Sequence, residues 1–349
     1  MELLFILLST MGGAIFFTWL LRFYAIRQNI FDIPNARSSH NQPTPRGGGI
    51  AFVLSFLFAL IVLVPDASLG WSSIWAIFGA GIGVALLGFF DDHRPIGVCW
   101  RLLGHFIGSI WALCWLGGMP ALEIFGNRID FGWVGHAFAV IYLVWMLNLY
   151  NFMDGIDGIA SVEAICTCLS ACLLYWASGF SDLVMVPLLL AMAVLGFLYW
   201  NFPPAQIFMG DGGSGFLGII LGVSSLQAAG SSPKLFWAWL ILLGVFIVDA
   251  TVTLIRRGLR GEKLHEAHRS HAYQFASRQY GSHLPVILAV VAINILWLLP
   301  LAACVVLWGL EGALGLVLAY VPLVMIAVKF HAGEPEKVVL HLGGRTGFF

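Results

Sequence analysis

Ten residues near the middle of the chain, Asn148-Leu-Tyr-Asn-Phe-Met-Asp-Gly-Ile-Asp157, place Asn148, Asn151, Asp154 and Asp157 at a uniform spacing of three. On a helix, steps of three keep side chains on one narrow face, so the spacing predicts a polar stripe. Apolar runs flank it, Phe138 to Leu147 on one side and Ile159 to Trp176 on the other. A charge among such residues is costly, about 2.5–3.5 kcal/mol at a bilayer centre. The plain alternative is a solvated loop between two membrane helices. Four further polar clusters bear on the choice.

In the first, Arg37-Ser-Ser-His40 is followed by Pro43-Thr-Pro-Arg46-Gly-Gly-Gly49, where an apolar run begins. Glycines opening a helix present free N–H groups and the positive end of its dipole; with Arg46 they predict an anion site suited to phosphate. A flexible turn beside membrane-flanking arginines is the alternative. In the second, Asp91 and Asp92 are adjacent at the end of a run. Such carboxylates repel unless a cation lies between them; a hard divalent ion such as Mg²⁺ would take their oxygens, or one could serve as a base. In the third, Phe208-Met-Gly-Asp211-Gly-Gly-Ser-Gly215 repeats the glycine-opened helix, now with a carboxylate. The fourth, Arg256 to His283, carries Arg256, Arg257, Arg260, Lys263, His265, Glu266, His268, Arg269 and His271. Zinc would call for His-Glu-x-x-His, which is absent, and a cationic cluster facing phosphate fits better. Asp249 and Glu163 are further acidic candidates inside apolar segments. His105 and His136 are isolated and read as packing residues.

These residues sit in a chain of 349, 60% hydrophobic and 10% charged, with mean hydropathy +0.92. Soluble domains carry about 25% charged residues, so the composition predicts an all-α polytopic membrane protein. A net charge of −1 and the lack of any long basic run give no sign of nucleic-acid binding. Six cysteines without a Cys-x-x-Cys pair read as reduced packing residues. Leu3 to Leu21 lacks a basic leading region and reads as a retained membrane helix, not a signal peptide.

Eleven apolar segments approach the ~20 residues a span needs: 2–22, 48–65, 72–90, 102–119, 133–149, 159–178, 183–200, 213–230, 235–255, 285–308 and 312–330. Fifteen Lys and Arg fall on one set of loops and ends, and only Arg128 and Lys234 on the other. The positive-inside rule then puts the N-terminus outside and the C-terminus in the cytoplasm, with all five clusters on the cytoplasmic face. No soluble domain interrupts the pattern, so 1–349 reads as a single integral-membrane domain.

Carboxylates with Mg²⁺, beside Arg and His, are the usual parts for phosphoryl transfer, and a site at a membrane face suits a soluble nucleotide donor and a lipid acceptor. A secondary transporter would call for inverted repeats and charges near the midplane, which the sequence does not display.

The order Pro43-x-x-Arg-Gly-Gly, Asp91-Asp92, Asn151-x-x-Asp-Gly-x-Asp-Gly158, Gly210-Asp-x-Gly-Ser214 and a late His/Arg loop resembles the polyprenyl-phosphate N-acetylhexosamine-1-phosphate transferases. That family includes the muramoyl-pentapeptide phosphotransferase and the enzymes that initiate O-antigen and teichoic acid synthesis. The resemblance covers nearly the whole chain and is nearest to the O-antigen-initiating branch. It implies transfer of an N-acetylated sugar-1-phosphate from a UDP-sugar to undecaprenyl phosphate in the bacterial inner membrane, with UMP released and Mg²⁺ or Mn²⁺ required. By resemblance, Asp91, Asp92, His268 and His271 are catalytic. Arg46, Asn148, Asn151, Asp154, Asp157 and Arg269 bind substrate, and Asp211 with Asp154 holds the metal. The expected reaction is a single displacement, with a double displacement through an aspartyl-phosphate still open. The alternative activity is a polyprenyl-linked glycosyltransferase that releases UDP. One departure is Ser270, in the third position of a His-x-His-His motif whose outer positions are His268 and His271; it argues against the peptidoglycan enzyme. The Trp- and Phe-rich helices leave a homodimer open.

Overall fold

The computed structural model describes residues 2–34, 39, 42–63, 70–263 and 268–335. Arg37, Ser38 and His40 of the first cluster, His265 and Glu266 of the late loop, and Lys337 and Arg345 lie outside the described residues. The described chain is almost all helix. In hydrocarbon every backbone N–H and C=O must find its partner within the protein, and a helix does this locally.

The helices are α1 (Glu2–Arg27), α2 (Ile50–Leu63), α3 (Trp71–His93), α4 (Val98–Leu116), α5 (Gly132–Met153), α6 (Ile159–Ser178) and α7 (Met185–Asn201). They continue as α8 (Asp211–Ser231), α9 (Pro233–Leu242), α10 (Gly244–Leu259), α11 (Ala272–Tyr280), α12 (Leu284–Ile293), α13 (Leu299–Leu307) and α14 (Gly312–Lys329). Two antiparallel ribbons join them, β1 (Phe31–Asp32) with β2 (Thr44–Pro45) and β3 (Leu122–Ile124) with β4 (Asn127–Ile129). Among the described residues nine helices are long and apolar enough to cross a membrane, or ten spans if α9 and α10 count as one. The protein is an all-α, multi-pass membrane protein.

Two of the eleven sequence segments differ from straight spans. Segment 48–65 yields α2, only 14 residues long. Segment 235–255 breaks at Leu243 into α9 and α10, bent by 69°. Gly244 at the break lets α14 press close: a Cβ there would lie 3.1 Å from Leu323 and 3.2 Å from Tyr320. Segment 285–308 is continuous but carries a π turn at Asn294–Leu298. There the buried Asn294 Nδ2 donates to Glu163 Oε2 at 2.6 Å and to the Val290 carbonyl at 3.0 Å. Side chains that reach into a helix ladder are a known cause of such turns.

α8 is the central helix, with 94% of its apolar stretch buried. It is mostly apolar, and its enclosed polar groups find partners on other helices, as Ser225 does in Tyr142 and Gln227 in Ser73. Phe216 meets Phe52 and Phe56 of α2 edge-on, with ring centroids 6.2 and 5.8 Å apart. Small residues let backbones approach where no hydrophobic force draws helices together in lipid. A Cβ on Gly218 would collide with the Met146 carbonyl of α5, and one on Gly88 of α3 with the backbone of Asp211 and Gly212. Gly83, also on α3, faces open space. Gly88→Ala is therefore expected to lower the thermal unfolding midpoint in detergent sharply, because only backbone could give way. Gly83→Ala should be neutral or stabilising by up to ~1 kcal/mol, the helix-propensity gain. Equal midpoints for the two variants would contradict this packing.

Candidate active site

The first turn of α8 is the platform of the site. Gly210 precedes it at φ 78°, a left-handed conformation that favours glycine. The first N–H groups of a helix have no partner within it. Here Asp211 N–H donates to Asp92 Oδ1 at 3.1 Å, and Gly212 N–H approaches Asp92 Oδ2 at 3.5 Å. A carboxylate at this end of a helix is favourable by about 0.3–1 kcal/mol when exposed and up to ~2 kcal/mol when partly buried. Arg46 Nη2 completes the junction, 2.6 Å from Asp92 Oδ1 and 3.2 Å from Asp211 Oδ1. The Asp92 side chain is 2% exposed.

The glycine-rich segments do a different job from the phosphate cradle expected of them. Gly48 N–H donates to the Phe208 carbonyl at 2.9 Å and Gly49 N–H to the Met209 carbonyl at 2.8 Å, while Phe208 N–H donates to the Pro45 carbonyl at 2.8 Å. A Cβ on Gly49 would lie 2.8 Å from Met209 Cγ. These amides dock the start of α2 against the start of α8, and Asp92 takes the amides of α8 itself. None of these N–H groups is open to an external phosphate.

Asp211 is the hub. Besides Arg46 it accepts from Asn151 Nδ2 at 2.9 Å, and Arg101 Nη1 lies 3.6 Å from its Oδ2. Asn151 also donates to Ser214 Oγ at 3.2 Å. Arg101 bonds Asp91 Oδ2 at 3.0 Å, and Asp91 Oδ1 accepts from Ile96 N–H at 2.6 Å. From sequence alone Arg101, at the start of α4, is only one of fifteen membrane-flanking cations. Its place nine residues after Asp92 was the available signal, since one short turn returns it to the carboxylate pair.

The stripe expected from the spacing of three does not form. Asn148 donates to the Val144 carbonyl of its own helix at 2.7 Å. α5 ends at Met153, Asp154 caps it, and Gly158 at φ 71° turns the chain into α6. Asp157 then faces elsewhere: its Oδ2 accepts from Ala205 N–H at 3.0 Å and lies 3.2 Å from His283 Nδ1. Asp157 raises the His283 imidazole above its ordinary range, overcoming burial, which acts downward. Asp154 stays with the hub. Its half-buried side chain makes no hydrogen bond or ion pair among the described residues, and burial, then the charges of Asp211 and Asp92, push its carboxyl well above the usual range.

The histidines form a second group beside the turn at 152–155. His271 Nδ1 lies 3.2 Å from the buried Asp249 Oδ1, and its ring stacks on His268 with centroids 4.9 Å apart. Ser270, the departure from the motif, hydrogen-bonds His268 Nδ1 through its hydroxyl at 2.9 Å. Arg269 lies between them, its carbonyl accepting from Arg278 at 3.2 Å. Tyr273 joins this group to the turn by donating its hydroxyl to the Phe152 carbonyl at 2.9 Å.

Among the described residues no three His, Cys, Asp or Glu side chains surround one metal-sized point. The donor set still suits Mg²⁺, which keeps several waters and binds through one or two carboxylates plus substrate phosphates. Asp91, Asp92, Asp154 and Asp211 gather here, and among the described residues Arg46 and Arg101 are the cations paired with them. A divalent cation here would favour the ionised form of Asp154, which burial and then Asp211 and Asp92 otherwise disfavour.

The profile of glycosyl transferase family 4 matches residues 74–229, which contain the aspartate pair, Asn151, Asp154 and Asp211. The chain is 30% identical to a phospho-N-acetylmuramoyl-pentapeptide-transferase of Chlamydia muridarum, an alignment covering 61% of this chain and 68% of that protein. The chain belongs to glycosyl transferase family 4. Other members are similar as well. A probable undecaprenyl-phosphate N-acetylglucosaminyl 1-phosphate transferase of Bacillus subtilis is 28% identical over 71% of this chain and 70% of its own length. A phospho-N-acetylmuramoyl-pentapeptide-transferase of Moorella thermoacetica is 34% identical over 53% of this chain and 61% of its own. As a family 4 chain the protein is a membrane-embedded transferase.

Burial, then the charges of His271 and Arg257, hold the His268 imidazole down at about 3. The unfolded chain takes up that proton near the ordinary value of about 6.5. Between these values the unfolded state binds more protons, so stability falls as pH drops from about 6.5 toward 3. His268→Gln should therefore lose less thermal stability than the parent between about pH 7 and pH 4.5. An identical loss in both would contradict the half-buried, neutral imidazole.

Proposed function

We propose that the protein transfers an N-acetylhexosamine-1-phosphate from a UDP-sugar to undecaprenyl phosphate, releasing UMP and beginning a cell-surface polysaccharide. The observation that carries this reading is the convergence of Asp91, Asp92, Asp211, Asn151, Arg46 and Arg101, drawn from α3, α8, α5, the α2 approach and α4, at one end of a multi-pass bundle. The names of the family members support the substrate classes. The positive-inside balance supports a cytoplasmic mouth, in a bacterial inner membrane, with the N-terminus outside.

In this reading the diphosphate of the donor competes for Arg46 and Arg101, whose guanidiniums now rest on carboxylates. Arginine suits this exchange because its fork matches phosphate as well as carboxylate. An oxygen of the lipid phosphate attacks the β-phosphorus of the donor, the bond to the UMP oxygen breaks, and UMP leaves with the electron pair. Asp91, at 8% exposed the more open of the adjacent pair, orients the attacking phosphate or accepts its proton. Asp92 stays on the amides of α8. Asp211 and Asp154 would hold Mg²⁺, or Mn²⁺ in its place, which when bound supplies positive charge to the diphosphate. His268, His271 and Arg269 face the donor from the second group.

Asp211→Asn keeps the size of the hub residue and removes its charge. It should fold and express normally, yet lose activity by 10²-fold or more, as losses of one electrostatic element typically do, together with its metal dependence. The assay is purified protein with undecaprenyl phosphate and a panel of UDP-sugars, with and without Mg²⁺, followed by nucleotide analysis. UMP as product supports phosphosugar transfer. UDP would replace it with simple glycosyl transfer, and an active Asp211→Asn enzyme would remove the metal assignment.

A further inference from the structure

Asp249 sits near the middle of α10 and is 6% exposed. It lies outside the group around Asp211, yet its carboxylate is fully engaged. Oδ1 accepts from Ala272 N–H at 3.0 Å and from Thr253 Oγ1 at 3.1 Å, and Oδ2 accepts from Tyr273 N–H at 3.0 Å. The remaining partner of Oδ1 is His271 Nδ1 at 3.2 Å. The amides of Ala272 and Tyr273 open α11, a helix of nine residues, so the charge of Asp249 sits at the positive end of that helix. His271 N–H is taken in turn by Gln274 Oε1 at 3.2 Å.

An ionised carboxylate only accepts hydrogen bonds. With backbone amides holding Asp249 in place, His271 Nδ1 must carry the proton, and Nε2 is left as the basic nitrogen of the neutral ring. The same carboxylate fixes where α11 begins. Tyr273, whose amide it holds, reaches the Phe152 carbonyl through its hydroxyl, and the ring of Phe152 stacks on His271 with centroids 6.4 Å apart. The lack of a side chain at Gly155 makes room for the Tyr273 hydroxyl and for Gln274. Phe152 and Gly155 lie on either side of Met153 and Asp154, so the chain of contacts ends at the metal-facing turn.

We infer that Asp249 is a positioning residue for the transfer: it sets the tautomer of His271 and holds the start of α11 against the turn that carries Asp154. The inference rests on the proposed role of His271 at the donor. It acts through His271 and Tyr273, and Asp249 itself touches no substrate.

The test uses the full chain in lipid nanodiscs, labelled with ¹⁵N-histidine. The His271 resonances are identified by their loss in His271→Gln. In the parent protein they should report a protonated Nδ1 and a bare Nε2 for the neutral ring; a bare Nδ1 overturns the inference, and this reading needs no variant of Asp249. Asp249→Asn places an amide NH₂ where one acceptor was, so the ring should lose its single tautomer. Its kcat should fall by about 10–100-fold, the usual loss when a residue supporting a site is changed, with KM for the UDP-sugar shifted less than about threefold. Asp249→Glu should recover part of kcat and the Nδ1-protonated signature. An Asp249→Asn enzyme with kcat within about twofold of the parent overturns the positioning role. A fully active His271→Gln enzyme overturns the proposed role of His271 and the kinetic half of this inference, whereas the tautomer is read independently of activity.

Discussion

The carboxylate of Asp92 on the first amides of α8 is the contact on which the rest depends. α8 is the buried axis of the bundle, and at its start, Asp211, α2, α3 and the approach to α2 all meet it. An exposed helix end would have water for its amides. An enclosed one needs an acceptor from the protein, and an anion serves best because the dipole adds to the hydrogen bonds. Once Asp92 is there, its charge needs a counterion in a place nearly closed to solvent, and Arg46 fills that need. Removing Arg46 would leave the enclosed Asp92 charge without its counterion, whereas Arg46, a third exposed, could still turn to water if Asp92 were lost. The close backbone contacts at Gly49, Gly88 and Gly213 follow from the same junction, because any side chain there would hold the helices apart.

That junction also explains why the site is charged as it is. Asp92 holds the scaffold, Asp91 and Asp211 share the arginines, and Asp154 has no partner among the described residues. Arg46 and Arg101 bridge these acids without neutralising them all. Such a set is poised for exchange. In the proposed reaction a diphosphate would draw on the arginines and a divalent cation on the carboxylates, each making the other easier to accommodate. The histidine group is built by the same device, a buried carboxylate on the first amides of a helix, here Asp249 on α11. Two helix starts, each tied down by an aspartate from a neighbouring helix, thus border the turn that carries Asp154.

Much of this was legible in the sequence. Asp91, Asp92, Asn151, Asp154 and Asp211 stood out because acids and amides amid long apolar runs need a reason to be there, and the structure gathers them. Periodicity misled at the central stretch. A spacing of three implies one helical face only while the helix lasts, and Gly155 and Gly158 end it before Asp157, which turns to Ala205 and His283. The glycine runs at 47–49 and 212–215 predict helix-opening amides suited to phosphate, with a flexible turn as the alternative at the first. Whether an amide is free depends on which chain segment lies against it, and neighbours in space are not visible in a single segment. The break between α9 and α10 is hidden for a similar reason: 235–255 reads as one apolar segment, and the close approach of α14 to Gly244 at the bend is visible only in the fold. Arg101 was passed over because a membrane-flanking arginine has an ordinary explanation, and only the fold shows it reaching back to Asp91 and Asp211.

The most direct measurement is a structure of the protein in nanodiscs with a non-reacting UDP-sugar analogue and Mg²⁺. The account expects the diphosphate at the α8 start, Arg46 and Arg101 moved from Asp211 onto phosphate oxygens, and Asp92 still on the amides of Asp211 and Gly212. A donor bound elsewhere, with the Arg46–Asp211–Arg101 bridge intact, would contradict it.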